Sequence, residues 1–121
     1  MKEVKMIRID AIVKPERVNV VLEEMADAGC TGFTYSNVTG RGNQDGVEVF
    51  TGRGSANKNR SSVPKVLITA VTEKSNQKKV IDAIISGAKT ENGQIGDGKI
   101  FISEVTEVIR VRTGESGEKA L

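Results

Sequence analysis

Lys99 closes the run GQIGDGK, and Arg110 and Arg112 stand two positions apart in VIRVRTGE. Lysine and arginine are the side chains that bind phosphate and carboxylate, lysine as a compact charge and arginine as a planar fork of donors. Gly93, Gly96 and Gly98 precede the lysine. Glycine lets a backbone take positive φ and turn its N–H groups toward an anion. The run is not a P-loop, which needs Ser or Thr after the lysine to reach a metal; here Ile100 follows. The residues alone leave two readings of Thr90 to Gly98 open, an anion cradle and a tight loop ahead of a strand. Arg110 and Arg112 leave an extended segment on one face, where their like charges repel unless an anion lies between them. An edge strand guarded by charge is the other reading.

Composition narrows the chemistry. The 121 residues hold one cysteine, Cys30, and no histidine, with a net charge of +2. A disulfide framework is excluded, and a Cys/His zinc site nearly so. The commonest general base is missing, and no paired carboxylates accompany the basic cluster, which disfavours an enzyme. Near-balanced charge gives no strong pull toward nucleic acid. The sheet topology derived below also occurs in RNA-binding domains, but those need stacking aromatics. Here there are only Phe33, Tyr35, Phe50 and Phe101, and no matching signature. No apolar run is long enough to cross a bilayer, and MKEVKMIRIDAIV is not a signal peptide. The reading is a soluble, cytoplasmic chain that neither binds nucleic acid nor inserts in a membrane.

The elements that must carry these residues follow from periodicity. Val4 to Val13 alternates and predicts a strand with apolar residues on both faces. Pro15 suits a helix start, and Val18, Val21, Leu22, Met25 and Ala28 recur at helical spacing, so Pro15 to Ala28 is expected as a helix stopped by Gly29. Phe33 to Thr39 is a second strand and Pro64 to Val71 a third. Ser75 or Asn76 is placed to cap a second helix, carried by Val80, Ile81, Ile84, Ile85 and Ala88. Lys99 to Val105 is a fourth strand, and Glu107 to Arg112 a short fifth. The order is β-α-β, long loop, β-α-β. Such a repeat predicts a single α+β domain, a ferredoxin-like βαββαβ sandwich with four antiparallel strands and two helices on one face. Apolar residues on the other face predict self-association. Gly40 to Ser62, polar and glycine-rich, exceeds the length at which loops are usually functional or disordered. A functional arm and a solvated insertion are both compatible with it.

At this point the residues reach a resemblance. GDGKIFISEV followed by VIRVRTGE is similar to the C-terminal signature of the PII signal-transduction family, the nitrogen regulatory proteins. IDAIVKPERVNVVLEEMADAGCTGFTYSNVTGRGNQDG resembles that family's N-terminal half, up to the G-x-G-x-Q-x-G that opens its T-loop. The likeness runs from about Met6 to Glu115. It implies a homotrimer that is not an enzyme and binds ATP or ADP in clefts between subunits. It implies a T-loop of about residues 40–63 that docks on a target protein, a B-loop of about 90–98 and a C-terminal segment of about 107–121. Gly96, Asp97, Gly98 and Lys99 would hold phosphates, joined by Arg110 and Arg112. Thr34 would contact the adenine side. Gln44 would join Mg²⁺ and 2-oxoglutarate, with Gly42 and Gly46 beside it, and Lys65 would pair with a 2-oxoglutarate carboxylate.

The chain departs from the family pattern in its loops. The T-loop tip reads RGSANKNRSS and holds no tyrosine, the only one being Tyr35, so control by tyrosine nucleotidylation is not expected. The B-loop is longer, and Gln94 stands where the pattern has a basic residue. These changes keep a second reading open: a sensor of ADP, AMP or another small anion, indifferent to 2-oxoglutarate, acting on a transporter or another metabolic target.

Overall fold

The computed structural model describes residues 5–41 and 62–121. β1 (Met6–Val13), α1 (Val18–Asp27), β2 (Phe33–Gly40), β3 (Val63–Glu73), α2 (Gln77–Ala88) and β4 (Gly98–Val105) follow one another, with a short 3-10 turn ahead of each helix at Pro15–Arg17 and Lys74–Asn76. The four strands form one antiparallel sheet in the order β2-β3-β1-β4. This is the ferredoxin-like arrangement that the repeated βαβ pattern predicts.

Strand alternation divides β1 cleanly. Ile7, Ile9, Ala11 and Val13 are buried against the helices with Val66, Ile68 and Ala70 of β3. Val21 and Met25 of α1 and Val80 and Ile84 of α2 complete this core, their spacing being that of one helical face. α1 ends as Gly29 predicts: Gly29 takes φ +93°, the Cys30 N–H donates to the Met25 carbonyl and the Gly29 N–H to the Ala26 carbonyl. That pair of bonds is a Schellman motif, in which positive φ at the residue after the cap suits glycine. The register puts Arg8, Asp10 and Ile12 opposite Val71, Thr69 and Leu67 on the other face of the sheet. There the Asp10 carboxylate accepts from Thr69 Oγ1 at 2.7 Å and from Arg8 Nε. Phe101, opposite Asp10, is 52% exposed on that face.

The two helices cross closely at Gly87. A Cβ there would lie 2.9 Å from Val21 Cα, and Arg17 Nε donates to the Gly87 carbonyl at 2.8 Å. Gly87→Ala is therefore expected to push the helices apart and destabilise the chain by about 1–2 kcal/mol, read as a lower urea midpoint with an unchanged slope.

Two expectations fail. Neither Ser75 nor Asn76 caps α2 with its side chain; Asn76 Nδ2 instead donates to the Ala28 carbonyl at 3.0 Å, tying the second half of the chain to the end of α1. Glu107 to Arg112 is not a strand. Only Ile109 pairs, with Ser116, and the chain between them turns back on itself. Gly114 takes φ +73° in that turn, which redirects the chain away from the edge of β4.

Candidate functional site

Asp97 organises the loop between α2 and β4. One carboxylate oxygen accepts from the backbone N–H groups of Thr90 at 2.9 Å and Gln94 at 2.8 Å. The other accepts from the Thr90 hydroxyl and lies 3.1 Å from Lys14 Nζ. Burial alone would raise the Asp97 pKa, but these donors, the Thr90 hydroxyl foremost, hold it well below the usual carboxylate range. With Asp97 drawn inward, Gly96 takes φ +93° and Gly98 φ +137°. The Gly96 carbonyl accepts from Lys65 Nζ.

Lys65 stands on β3 at the base of the β2–β3 excursion, opposite Val38. Val66 pairs with Val13, which brings Lys14, the next residue after β1, to the same end of the sheet. Burial pushes the Lys65 pKa down and the charge of Lys14 adds to that, while Glu16 and Asp97 oppose it. Two ammonium groups thus crowd one loop, a repulsion that an incoming anion relieves. Lys99, the second residue of β4, stands opposite Ile12, exposed on the face away from the helices. Beside it, between α2 and β4, lies an open cleft of about 750 Å³ whose apolar wall includes Ile81, Ile85, Ile95, Ile100 and Ile102.

Arg110 and Arg112 belong to the other end. β4 runs from Gly98, opposite Val13, to Val105, opposite Met6, so the C-terminal segment starts where β3 finishes. Leu121 lines a cavity of about 310 Å³ there with Thr31, Thr72, Glu73 and Asn76. Arg110 Nη1 lies 3.4 Å from a Glu115 carboxylate oxygen, and Nη2 donates to the Leu121 carbonyl at 3.1 Å. Arg112 lies in the exposed turn. Thr34 is exposed on β2 opposite Thr69. Within one chain the sheet therefore separates the lysines from the arginines. Gly42, Gln44 and Gly46 lie outside the described residues.

A family profile described as nitrogen regulatory protein P-II matches residues 6–115. The chain belongs to this family. Nitrogen regulatory protein P-II 2 of Methanothermobacter thermautotrophicus is 44% identical over 114 residues, covering 93% of this chain and 95% of that one. Among solved structures, Arabidopsis thaliana PII bound to citrate superimposes with a TM-score of 0.78 at 39% identity, covering 98% of this chain and 94% of that one. The B. subtilis GlnK-ATP complex does so with a TM-score of 0.75 at 28% identity, covering 97% and 98%. No helix among the described residues of this P-II chain is long and apolar enough to cross a membrane.

Sequence reasoning missed Lys14, which the structure sets beside Asp97 and Lys65. The residue lies in the KP dipeptide that opens α1, but only the β1–β3 register brings it beside Lys65 and the loop.

Proposed function

We propose that this P-II chain is a trimeric, non-enzymatic sensor that binds ATP or ADP, with Mg²⁺ and 2-oxoglutarate, and controls a target protein through residues 40–63. The observation that carries the reading is the separation of its two cationic groups. The loop glycines, Lys99 and Lys65 lie at one end of the sheet, and Arg110 and Arg112 at the other, with Thr34 about midway. A nucleotide touching both groups has to lie between the loop of one copy and the C-terminal segment of another. The ATP-bound GlnK relative supports a nucleotide as the ligand. The exposed Ile85, Ile95 and Ile102 beside the loop support association.

The residues suit the ligands chemically. Gly96 and Gly98 keep the backbone bare of side chains next to Lys99, which supplies a charge for phosphate. Among the described residues no three acidic, His or Cys side chains stand together. Mg²⁺ would draw its oxygens from the phosphates, water and Gln44. A 2-oxoglutarate carboxylate would take Lys65 from the Gly96 carbonyl. The β2–β3 excursion begins and ends beside that lysine, so a ligand favouring one arrangement of the excursion shifts its population and thereby the hold on the target.

Calorimetry tests the reading. Lys99→Ala and Arg112→Ala should each weaken ATP binding about tenfold, the scale of one charge-assisted hydrogen bond. Sedimentation should return three times the 13.0 kDa chain mass. Titration of 2-oxoglutarate with and without Mg-ATP should give binding only with it. Unchanged ATP affinity in both variants, or a monomer, overturns the reading.

A further inference from the structure

The C-terminal turn holds its own anion. Ile109 pairs with Ser116, the Arg110 N–H donates to the Glu115 carbonyl at 2.8 Å, and the Gly114 N–H to the Arg110 carbonyl at 2.8 Å. This brings the Glu115 side chain back onto its neighbours. One carboxylate oxygen lies 3.4 Å from Arg110 Nη1 and accepts from Thr113 Oγ1 at 2.9 Å. With the Leu121 carbonyl on Nη2, the guanidinium of Arg110 is engaged on both arms. Arg112, two residues on, makes no side-chain hydrogen bond among the described residues. The two arginines that sequence alone treats as equivalent are thus in opposite conditions.

We infer that Glu115 is a built-in competitor for phosphate: its carboxylate occupies Arg110, and a nucleotide phosphate must displace it. The inference rests on the proposed nucleotide reading and adds a residue that sets its affinity. A carboxylate and a phosphate oxygen offer a guanidinium the same kind of acceptor, and their like charges repel when both crowd the same Nη1. The Arg110 and Glu115 side chains are 35% and 44% exposed, which makes the pair weak enough for a doubly charged phosphate to break. Glu115 thus lowers affinity for anions in general, and the stronger ones overcome it.

Glu115→Gln tests this with little disturbance, because the amide oxygen still accepts from Thr113 while the negative charge is gone. ATP titrated by calorimetry should bind about two- to five-fold more tightly to Glu115→Gln than to the wild type, the scale of one exposed ion pair. Glu118→Gln, an equal change of charge on a side chain that does not touch Arg110, should leave affinity within about 1.5-fold. Arg110→Ala should weaken binding, and adding Glu115→Gln to it should gain nothing, which isolates the pair. ATP affinity in Glu115→Gln equal to or weaker than wild type overturns the inference. So does a Glu118→Gln gain as large as that of Glu115→Gln, or an Arg110→Ala chain that binds as well as the wild type. Failure of the parent reading looks different, since the wild type itself then binds no ATP.

Discussion

Gly98→Ala is expected to cost this protein more than about 4 kcal/mol, enough to leave a domain of this size largely unfolded. Two effects coincide at that residue. Its φ of +137° belongs to glycine, and side-chain-bearing residues held in such regions cost of order 1–3 kcal/mol. A Cβ there would also lie 2.1 Å from the Ile12 carbonyl oxygen, well inside contact distance. That carbonyl cannot retreat, because β1 is paired on both sides, to β3 and to β4. Relief must come from breaking the start of the β1–β4 ladder, and with it the seat of Lys99. Gly96→Ala separates the two effects. Gly96 has φ +93° as well, but its nearest neighbour to a Cβ would be Lys65 Nζ at 3.6 Å, the mobile end of a side chain. That variant should lose only the conformational term, about 1–2 kcal/mol. Thermal melts of the two at one chain concentration decide the matter. A Gly98→Ala protein that melts within a few degrees of Gly96→Ala would mean that Ile12 is not the obstacle.

The contrast between those two glycines marks what the sequence could tell. The run GQIGDGK announced a loop that needs glycine, because residue types report permitted φ. Which glycine is pressed against a neighbouring strand depends on register, and register is a tertiary property. The same division holds elsewhere. The helical spacing of Val18 to Ala28 and of Val80 to Ala88 was legible because one face of each helix packs on the sheet, and the repeated βαβ order then left few topologies. The segment Glu107 to Arg112 misled because alternating apolar and charged residues satisfy a period of two whether or not a partner strand is present. Here the chain returns on itself through Gly114, and Val111 is 99% exposed. Asn76 read as a cap because of its type, yet its amide reaches the end of the other helix. The place of Lys14 was invisible because nothing in its neighbours along the chain indicates that Lys65 and Asp97 stand next to it in space.

Asp97 carries the second large effect. Asp97→Asn should destabilise the chain by about 2–4 kcal/mol at neutral pH, since it removes a charge that several donors share. Asparagine offers one oxygen and one NH₂ where the aspartate offers two oxygens. If the oxygen keeps the Thr90 and Gln94 N–H groups, the NH₂ faces the Thr90 hydroxyl and the Lys14 ammonium. The hydroxyl can turn to accept, but the ammonium cannot, so Lys14 loses its counter-charge while still standing close to Lys65. The pH dependence separates this from a mere loss of shape. The folded Asp97 pKa lies below its unfolded value, so the stability it confers is fully present above the unfolded carboxyl range, which centres near about 4. That stability is lost as the pH falls below this range and through the lower folded value. Urea denaturation of wild type and Asp97→Asn should therefore show their widest gap near pH 7 and a narrowing gap below about pH 4. Hydrogen exchange at the Thr90 and Gln94 amides should speed up in the variant before the core opens, because the carboxylate is what holds those two groups. A gap that stays constant down to strongly acidic pH would mean that the carboxylate acts through its shape alone and that the loop does not depend on its charge.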